Sequence, residues 1–195
     1  MKIIGLTGGI GMGKSTAAKA FRRAHIPVFD ADATVHALQA PGGAALPAIG
    51  AAFPGTVQAG VLDRARLRAA VVGNTAAMHR LEAILHPMVR RAERAFIARA
   101  RRTGYRAIVL DIPLLFESKG ERVVDLVVVV SAPRAVQITR VQRRRQMTQA
   151  QIEAIIAMQM PDAEKRRRAD IVVRTGLSRF TSLRPITRLI RSLRA

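Results

Sequence analysis

Apolar residues follow two rhythms along this chain. Short unbroken runs occur at Ile3–Leu6, Pro27–Phe29, Ala107–Leu110, Leu126–Val130 and Ile171–Val173. Runs of this length, with no polar alternation, are what a parallel sheet covered on both faces produces. Between them, apolar residues recur every three or four positions. Lys14–Ala24 carries Ala17, Ala18 and Phe21 on one helical side, and "TQAQIEAIIAMQM" starts at a capping residue, Thr148, and stops at Pro161. Strands separated by helical patterns argue for βαβ units with right-handed crossovers. The pattern therefore predicts an α/β fold: a three-layer α/β/α core with a five-stranded parallel sheet.

Three stretches depart from the plain alternation. Ala33–Tyr105 is too long for a simple crossover, and its segments "LDRARLRAAV" and "TAAMHRLEAIL" have helical spacing. It reads as a helical insertion beside the sheet edge, with Pro87 expected to interrupt its second helix just after His86. Within it, the Pro/Gly/Ala-rich piece Ala40–Gly60 reads as loop with a short helix. Arg140–Arg168 is polar, basic and helical. In the tail, Phe180, Leu183, Ile186, Leu189, Ile190 and Leu193 roughly follow helical spacing, which favours a helix docked on the sheet over a membrane binder. Internal repeats and low-complexity segments are absent from the sequence.

Composition narrows the class. A chain of 195 residues can bury one α/β core with a small helical insertion, and 49% apolar with 24% charged residues is a globular balance. The net charge of +20 is unusual, and Arg134–Ala195 alone holds fifteen Lys+Arg against four Asp+Glu. Such a field attracts polyanions: nucleic acid, acidic lipid or a phosphate-rich nucleotide. One tyrosine and no tryptophan leave little for base stacking, and no DNA-reading motif is present, so a stable nucleic-acid partner is not expected. The absence of cysteine excludes disulfides and thiolate metal sites. "MKIIGLTGG" reaches its glycines too early for a signal peptide. The apolar runs fall far short of the roughly 20 residues of a membrane span. The expectation is a cytoplasmic protein without a membrane partner, working as a monomer or a weak oligomer.

The chemistry starts after the first strand. Gly8-Gly9-Ile10-Gly11-Met12-Gly13-Lys14-Ser15, followed by Thr16, satisfies G-x-x-x-x-G-K-[ST] between an apolar strand and a helical pattern. Glycines let backbone N–H groups converge on phosphate, Lys14 places a cation between the β- and γ-phosphates, and the Ser15 hydroxyl suits Mg²⁺. The helix start adds the positive end of its dipole. The motif predicts a P-loop NTPase-like core that binds a nucleoside triphosphate. The Asn-Lys-x-Asp segment by which GTPases read guanine is missing, and the third sheet strand ends Asp111-Ile112-Pro113 rather than Asp-Glu as in motor ATPases. Small-molecule phosphotransferases remain, and they need an acceptor site and a basic flap.

Candidates for both exist. Asp30 and Asp32 follow the second strand, where ligands of open parallel sheets bind. Each is either a helix N-cap or a group serving the acceptor hydroxyl. Asp111 either caps a turn or serves Mg²⁺ or the acceptor. Arg140, Arg143, Arg144 and Arg145 precede the basic helix and Lys165–Arg168 follow it. Most of these suit a solvated face, whereas Arg140 is the candidate for phosphate contact.

Together these pieces resemble the dephospho-coenzyme A kinase family over nearly the whole chain. The resemblance is carried by "IGLTGGIGMGKS", "FDADATVH", "GVLDRARLR", "LEAILHPMV", "VLDIPLLFE", "QITRVQRR" and "QMPDAEKRRRADIVV", in order. It implies ATP- and Mg²⁺-dependent phosphorylation of the ribose 3′-hydroxyl of dephospho-coenzyme A, which completes coenzyme A synthesis. It implies a nucleotide-binding core (about 1–32, 105–139 and 169–195), a helical acceptor-binding domain (33–104) and a lid (140–168). Gly8, Gly9, Ile10, Gly11, Met12, Gly13, Lys14, Ser15 and Thr16 would bind ATP. Lys14, Asp32 and Arg140 would be catalytic, with Asp32 as base or orienter and Arg140 on the phosphates, and Ser15 would hold the metal. Thr7, Asp32, His86, Asp111, Leu114 and Leu115 would meet the acceptor, although Leu114, Leu115 and Phe116 equally suit plain core and His86 a cap or core position. Met12 stands where the family more often has serine. "VVRTGLS" lacks the asparagine usual after the last strand, so adenine contact there would fall to the backbone or Arg174. The other readings are a nucleoside or nucleotide kinase of the same class and, more distantly, a P-loop nucleic-acid-binding protein.

Overall fold

A computed structural model of the chain describes residues 1–145, 147–176 and 178–193, with the side chains of Arg145 and Arg179 outside the description. The strands are β1 (Lys2–Thr7), β2 (Val28–Asp30), β3 (Val57–Gln58), β4 (Val61–Leu62), β5 (Ala107–Asp111), β6 (Leu126–Ser131) and β7 (Ile171–Arg174). The helices are α1 (Lys14–Arg23), α2 (Ala31–Leu38), α3 (Leu46–Ala52), α4 (Arg64–Val71), α5 (Thr75–Arg102), α6 (Arg134–Arg145), α7 (Gln149–Ala157), α8 (Asp162–Arg167) and α9 (Arg179–Ser192). Two compact units emerge: Met1–Phe29 with Arg99–Ala195, and Asp30–Ala98.

The first unit is built on a five-stranded parallel sheet in the order β2-β5-β1-β6-β7. All five expected strands are present. β1 is central, with Leu6 opposite Asp111 of β5 and Thr7 opposite Val129 of β6. Ser131 of β6 lies opposite Arg174 of β7. The register thus gathers the carboxyl ends of four strands along one edge, which is where ligands of open α/β sheets bind. At the outer strand, the Val109 N–H donates to the Pro27 carbonyl at 2.9 Å.

One sheet face packs Ile4, Leu6, Val109, Val128 and Val130 against Phe21 of α1 and Ile186 of α9. The other packs Val127 and Val129 against Leu115 and Phe116. Each such large side chain removed from water contributes about 1.5–3 kcal/mol. α9 docks as its spacing predicts, through Ile186 and Leu189, with Leu183, Ile190 and Leu193 at the margin. Phe180 is the exception, 76% exposed. It lies in the first turn, six residues before Ile186, and so points off the docked stripe.

The second unit has its own core of Leu46, Ile49, Phe53, Leu62, Leu67, Leu81 and Leu85. Two features differ from expectation. α5 runs unbroken through Pro87. A proline removes one N–H bond, but Leu81 and Leu85 are buried just before it and Met88 packs just after it, so tertiary contact holds the helix through the defect. A hairpin, β3 with β4, also replaces part of the expected loop. It turns at Ala59 and Gly60, with φ of 47° and 72°. Two successive left-handed residues match strand twist, but alanine at the first gives no sequence signal. Asp63 caps α4 by accepting from the Arg66 N–H at 3.0 Å.

Candidate active site

The β1–α1 loop is the centre of the site. Gly13 precedes α1 with φ 91°, a left-handed conformation that disfavours any side chain. It carries no side-chain cap, so the helix start depends on something else for its amides. Among the described residues, the N–H groups of Gly11, Gly13, Lys14 and Ser15 have no acceptor. Four orphan donors at the positive end of a ten-residue helix form a site for phosphate oxygens.

Other amides of the loop are already committed to protein partners. The Ile10 N–H donates to Gln159 Oε1 at 3.2 Å, and the Met12 N–H donates to the Gly9 carbonyl at 3.2 Å. Gln137 Nε2 donates to the Ile10 carbonyl at 2.7 Å. A Cβ at Gly9 would sit 3.0 Å from Gln159 Oε1, so the glutamine would have to shift to admit one. Met12 is buried, and its sulfur accepts from the Ala132 N–H at 3.0 Å.

Lys14 Nζ pairs with Asp111, which is itself almost fully buried at the end of β5. The pair holds the ammonium at the loop and gives Asp111 a partner beyond any turn cap. Thr7 is fully buried, and its hydroxyl donates to the Pro113 carbonyl at 2.8 Å. It therefore ties β1 to the loop after β5, a correction to its expected contact with the acceptor. Ser15 is exposed and its hydroxyl has no partner among the described residues, so it is open to a metal ion. No cluster of three or more His, Cys, Asp or Glu among the described residues makes a metal cage. A Mg²⁺ here would be bound by few protein oxygens plus phosphates, which is the usual manner of that ion.

Arg140 reaches the loop from α6. Its Nη1 donates to Thr175 Oγ1 at 2.9 Å and its Nη2 to the Thr175 carbonyl at 2.6 Å. The Thr175 hydroxyl donates to the Met12 carbonyl at 2.5 Å. The departure from asparagine thus carries a link that the sequence reading missed: the loop after β7 braces both the P-loop and the phosphate-contact candidate. Arg174 is exposed, and Leu177 lies outside the described residues.

The basic segments divide. Arg143, Arg144 and Arg166–Arg168 are exposed, as a solvated face requires. Lys165 is not: it is 1% exposed and pairs with Glu117 at 2.8 Å. Glu117 also accepts from the Met160 N–H at 2.9 Å. Burial pushes the Glu117 carboxyl up, but the Lys165 and Met160 hydrogen bonds and the Lys165 charge outweigh it and bring it below its ordinary value. Asp170 accepts from the Val127 N–H at 2.7 Å and anchors β6.

In "DIPLLFE", Leu115 is 0% exposed and packs with Phe116 in the core, a correction to its expected role as acceptor wall. Leu114 is exposed. In the second unit, Asp30 caps α2 through the Ala33 N–H at 2.9 Å. That leaves Asp32, in the first turn, exposed and without a partner among the described residues. His86 is exposed mid-helix, so it is neither a cap nor a core residue. Residues 140–168 belong to the first unit.

A parallel sheet with a glycine-rich phosphate loop, a lysine anchored on the neighbouring strand and an arginine on the following helix defines a P-loop phosphotransferase. The dephospho-CoA kinase family model matches residues 2–178. A dephospho-CoA kinase of Paramagnetospirillum magneticum is 60% identical over 166 residues, covering 85% of this chain and 78% of that protein. One of Gluconobacter oxydans is 52% identical over 198 residues, covering 100% of this chain and 98% of that one. The crystal structure of TT1252 from Thermus thermophilus superposes with a TM-score of 0.84 at 32% identity, covering 98% of this chain and 96% of that one. The chain belongs to the dephospho-CoA kinase family, the phosphotransferases that complete coenzyme A biosynthesis. No helix among the described residues is long and apolar enough to cross a membrane.

Proposed function

We propose that this protein transfers the γ-phosphoryl group of ATP to the ribose 3′-hydroxyl of dephospho-coenzyme A, giving coenzyme A and ADP. The observation that carries the reading is the Lys14–Asp111 pair, which joins the phosphate loop to the first residue of "DIPLLFE". The free amides of Gly11, Gly13, Lys14 and Ser15 bind phosphate oxygens, and Lys14 spans the β- and γ-phosphates. Arg140 neutralises charge that develops on the transferring group. The Ser15 hydroxyl would hold Mg²⁺, and the ion would supply charge neutralisation to the transferring phosphate.

Asp32 orients the 3′-hydroxyl and receives its proton. The 3′-oxygen forms a bond to the γ-phosphorus as the bond to the β-bridging oxygen breaks, and ADP leaves with that electron pair. His86 and Leu114 are exposed side chains assigned to acceptor contact in this reading. The chain divides functionally into core, acceptor-binding segment 33–104 and lid 140–168. It works as a cytoplasmic monomer without a stable nucleic-acid or membrane partner.

A coupled ADP-release assay tests the proposal, with dephospho-coenzyme A and nucleoside monophosphates offered in parallel. Turnover with dephospho-coenzyme A supports it. Turnover with nucleoside monophosphates alone overturns it in favour of a nucleotide kinase.

A further inference from the structure

The tip of the phosphate loop is gripped from outside by two glutamine side chains. Ile10 has both amide groups engaged by side chains, its N–H by Gln159 and its carbonyl by Gln137. Gln159 lies between α7 and α8, 149 residues away in the chain. Its own position is fixed one residue further on, where the Met160 N–H donates to Glu117. Glu117 is held by Lys165, the buried ammonium of α8. A second strut ties the same segment to the sheet: Ser131 Oγ donates to Asp162 Oδ2 at 2.8 Å.

These contacts close a ring. The loop that begins at Asp111 is joined to the phosphate loop directly at one end, through Lys14. At its other end it is joined through Glu117, Met160 and Gln159 to Ile10. A charge as buried as that of Lys165 is costly unless paired, so its presence indicates that the position of Glu117 matters. A Cβ at Gly9 would crowd Gln159 at 3.0 Å and Gln137 at 3.4 Å, so the loop leaves room for this grip.

We infer that Gln159 is a positioning residue for the phosphate loop and that Glu117, paired with Lys165, holds Gln159 in place. By occupying the Ile10 amide, Gln159 fixes the loop tip so that the remaining amides face the phosphates. Through Glu117, the arrangement of the 111–117 loop is passed to the nucleotide site. The inference rests on the kinase reading for its catalytic meaning, but the hydrogen-exchange readout of its test does not.

The first measurement is amide hydrogen exchange at Ile10 in the nucleotide-free protein. Gln159→Met keeps length and volume but loses the acceptor, and it should raise the Ile10 exchange rate. It should also weaken binding of a non-hydrolysable ATP analogue about fivefold, as expected for one lost hydrogen bond, with KM for dephospho-coenzyme A unchanged. Glu117→Gln alone strands a buried cation and is expected to unfold readily. Glu117→Gln with Lys165→Met removes both charges, and it should reproduce the faster exchange at Ile10 although neither residue touches it. Unchanged Ile10 exchange and analogue affinity in folded Gln159→Met would overturn the role of Gln159. Altered exchange in that variant but not in the double variant would overturn the role of Glu117. If the exchange effects appear while dephospho-coenzyme A is not phosphorylated, the function fails and the positioning role stands.

Discussion

The phosphate loop and the first turn of α2 carry the two halves of the proposed chemistry in opposite states. In the loop, Lys14, Ile10 and Met12 are each bound by a defined neighbour, Met12 by Thr175 among others. In the first turn of α2, Asp30 is used up as a cap while Asp32 stands exposed and unpartnered among the described residues. The donor side is preorganised, because fixed amides and charges stabilise phosphate only if they need not reorganise. A hydroxyl-orienting carboxylate has the contrary requirement, since a cap or ion pair would already occupy the oxygens it must offer. The sequence reading places both aspartates beside the strand end and favours Asp32 for the acceptor; in the structure it is Asp30 that caps α2.

The comparison breaks most visibly at Lys14. Lys14→Ala removes the cation and leaves Asp111 buried without it, so kcat should fall on the order of a hundredfold to a thousandfold. A coupled assay at saturating substrates reads this loss, and near-normal turnover would remove Lys14 from the chemistry. Asp32→Asn should lower kcat by roughly a hundredfold or more while ATP affinity holds, the split expected of a group acting on the acceptor alone. Equal turnover in that variant would make Asp32 an ordinary surface residue.

Smaller effects sharpen the donor side. Thr175→Val keeps shape but loses the hydroxyl shared by Arg140 and Met12, and KM for ATP should rise several-fold, on the order of one to two lost hydrogen bonds. Thr175→Ser should restore it, and failure of that rescue would point to packing instead. The least effect concerns pH. The Glu117 carboxyl lies below its ordinary value in the folded protein. Its contribution to stability is therefore complete above the unfolded-state value and is lost as pH falls through the folded one. Melting temperature of the unaltered protein should decline more steeply under acid than that of the Glu117→Gln, Lys165→Met variant. Parallel decline would show that the pair does not respond to acid.

Much of the fold was legible because it rests on local periodicity. Unbroken apolar runs such as "LVVVV" mark strands buried on both faces, and Thr148 with Gln151 closes a capping box that a short window can reveal. Other features were legible only as ambiguities. Phe116 and Leu115 read equally as substrate wall or core, because apolar side chains serve both uses. Lys165 reads as one more solvated cation in a run of four, until its partner arrives from Glu117. Pro87 reads as a break, because the packing of Leu85 and Met88 that carries α5 past it is non-local.

By itself, then, the sequence determined the strands, the phosphate loop and its family company. These depend on residue type and spacing within a few turns of chain. The tertiary structure alone decided which loop amides remain open, which aspartate caps and which is free, and that Gln159 and Thr175 hold the loop. The grip of Gln159 and Thr175 depends on contacts across 149 and 163 residues of chain, whereas the Asp30 cap is made only three residues away. No local pattern encodes which distant hydrogen-bonding group will satisfy a given amide. That is settled only when the strands pair and bring their carboxyl ends to one edge.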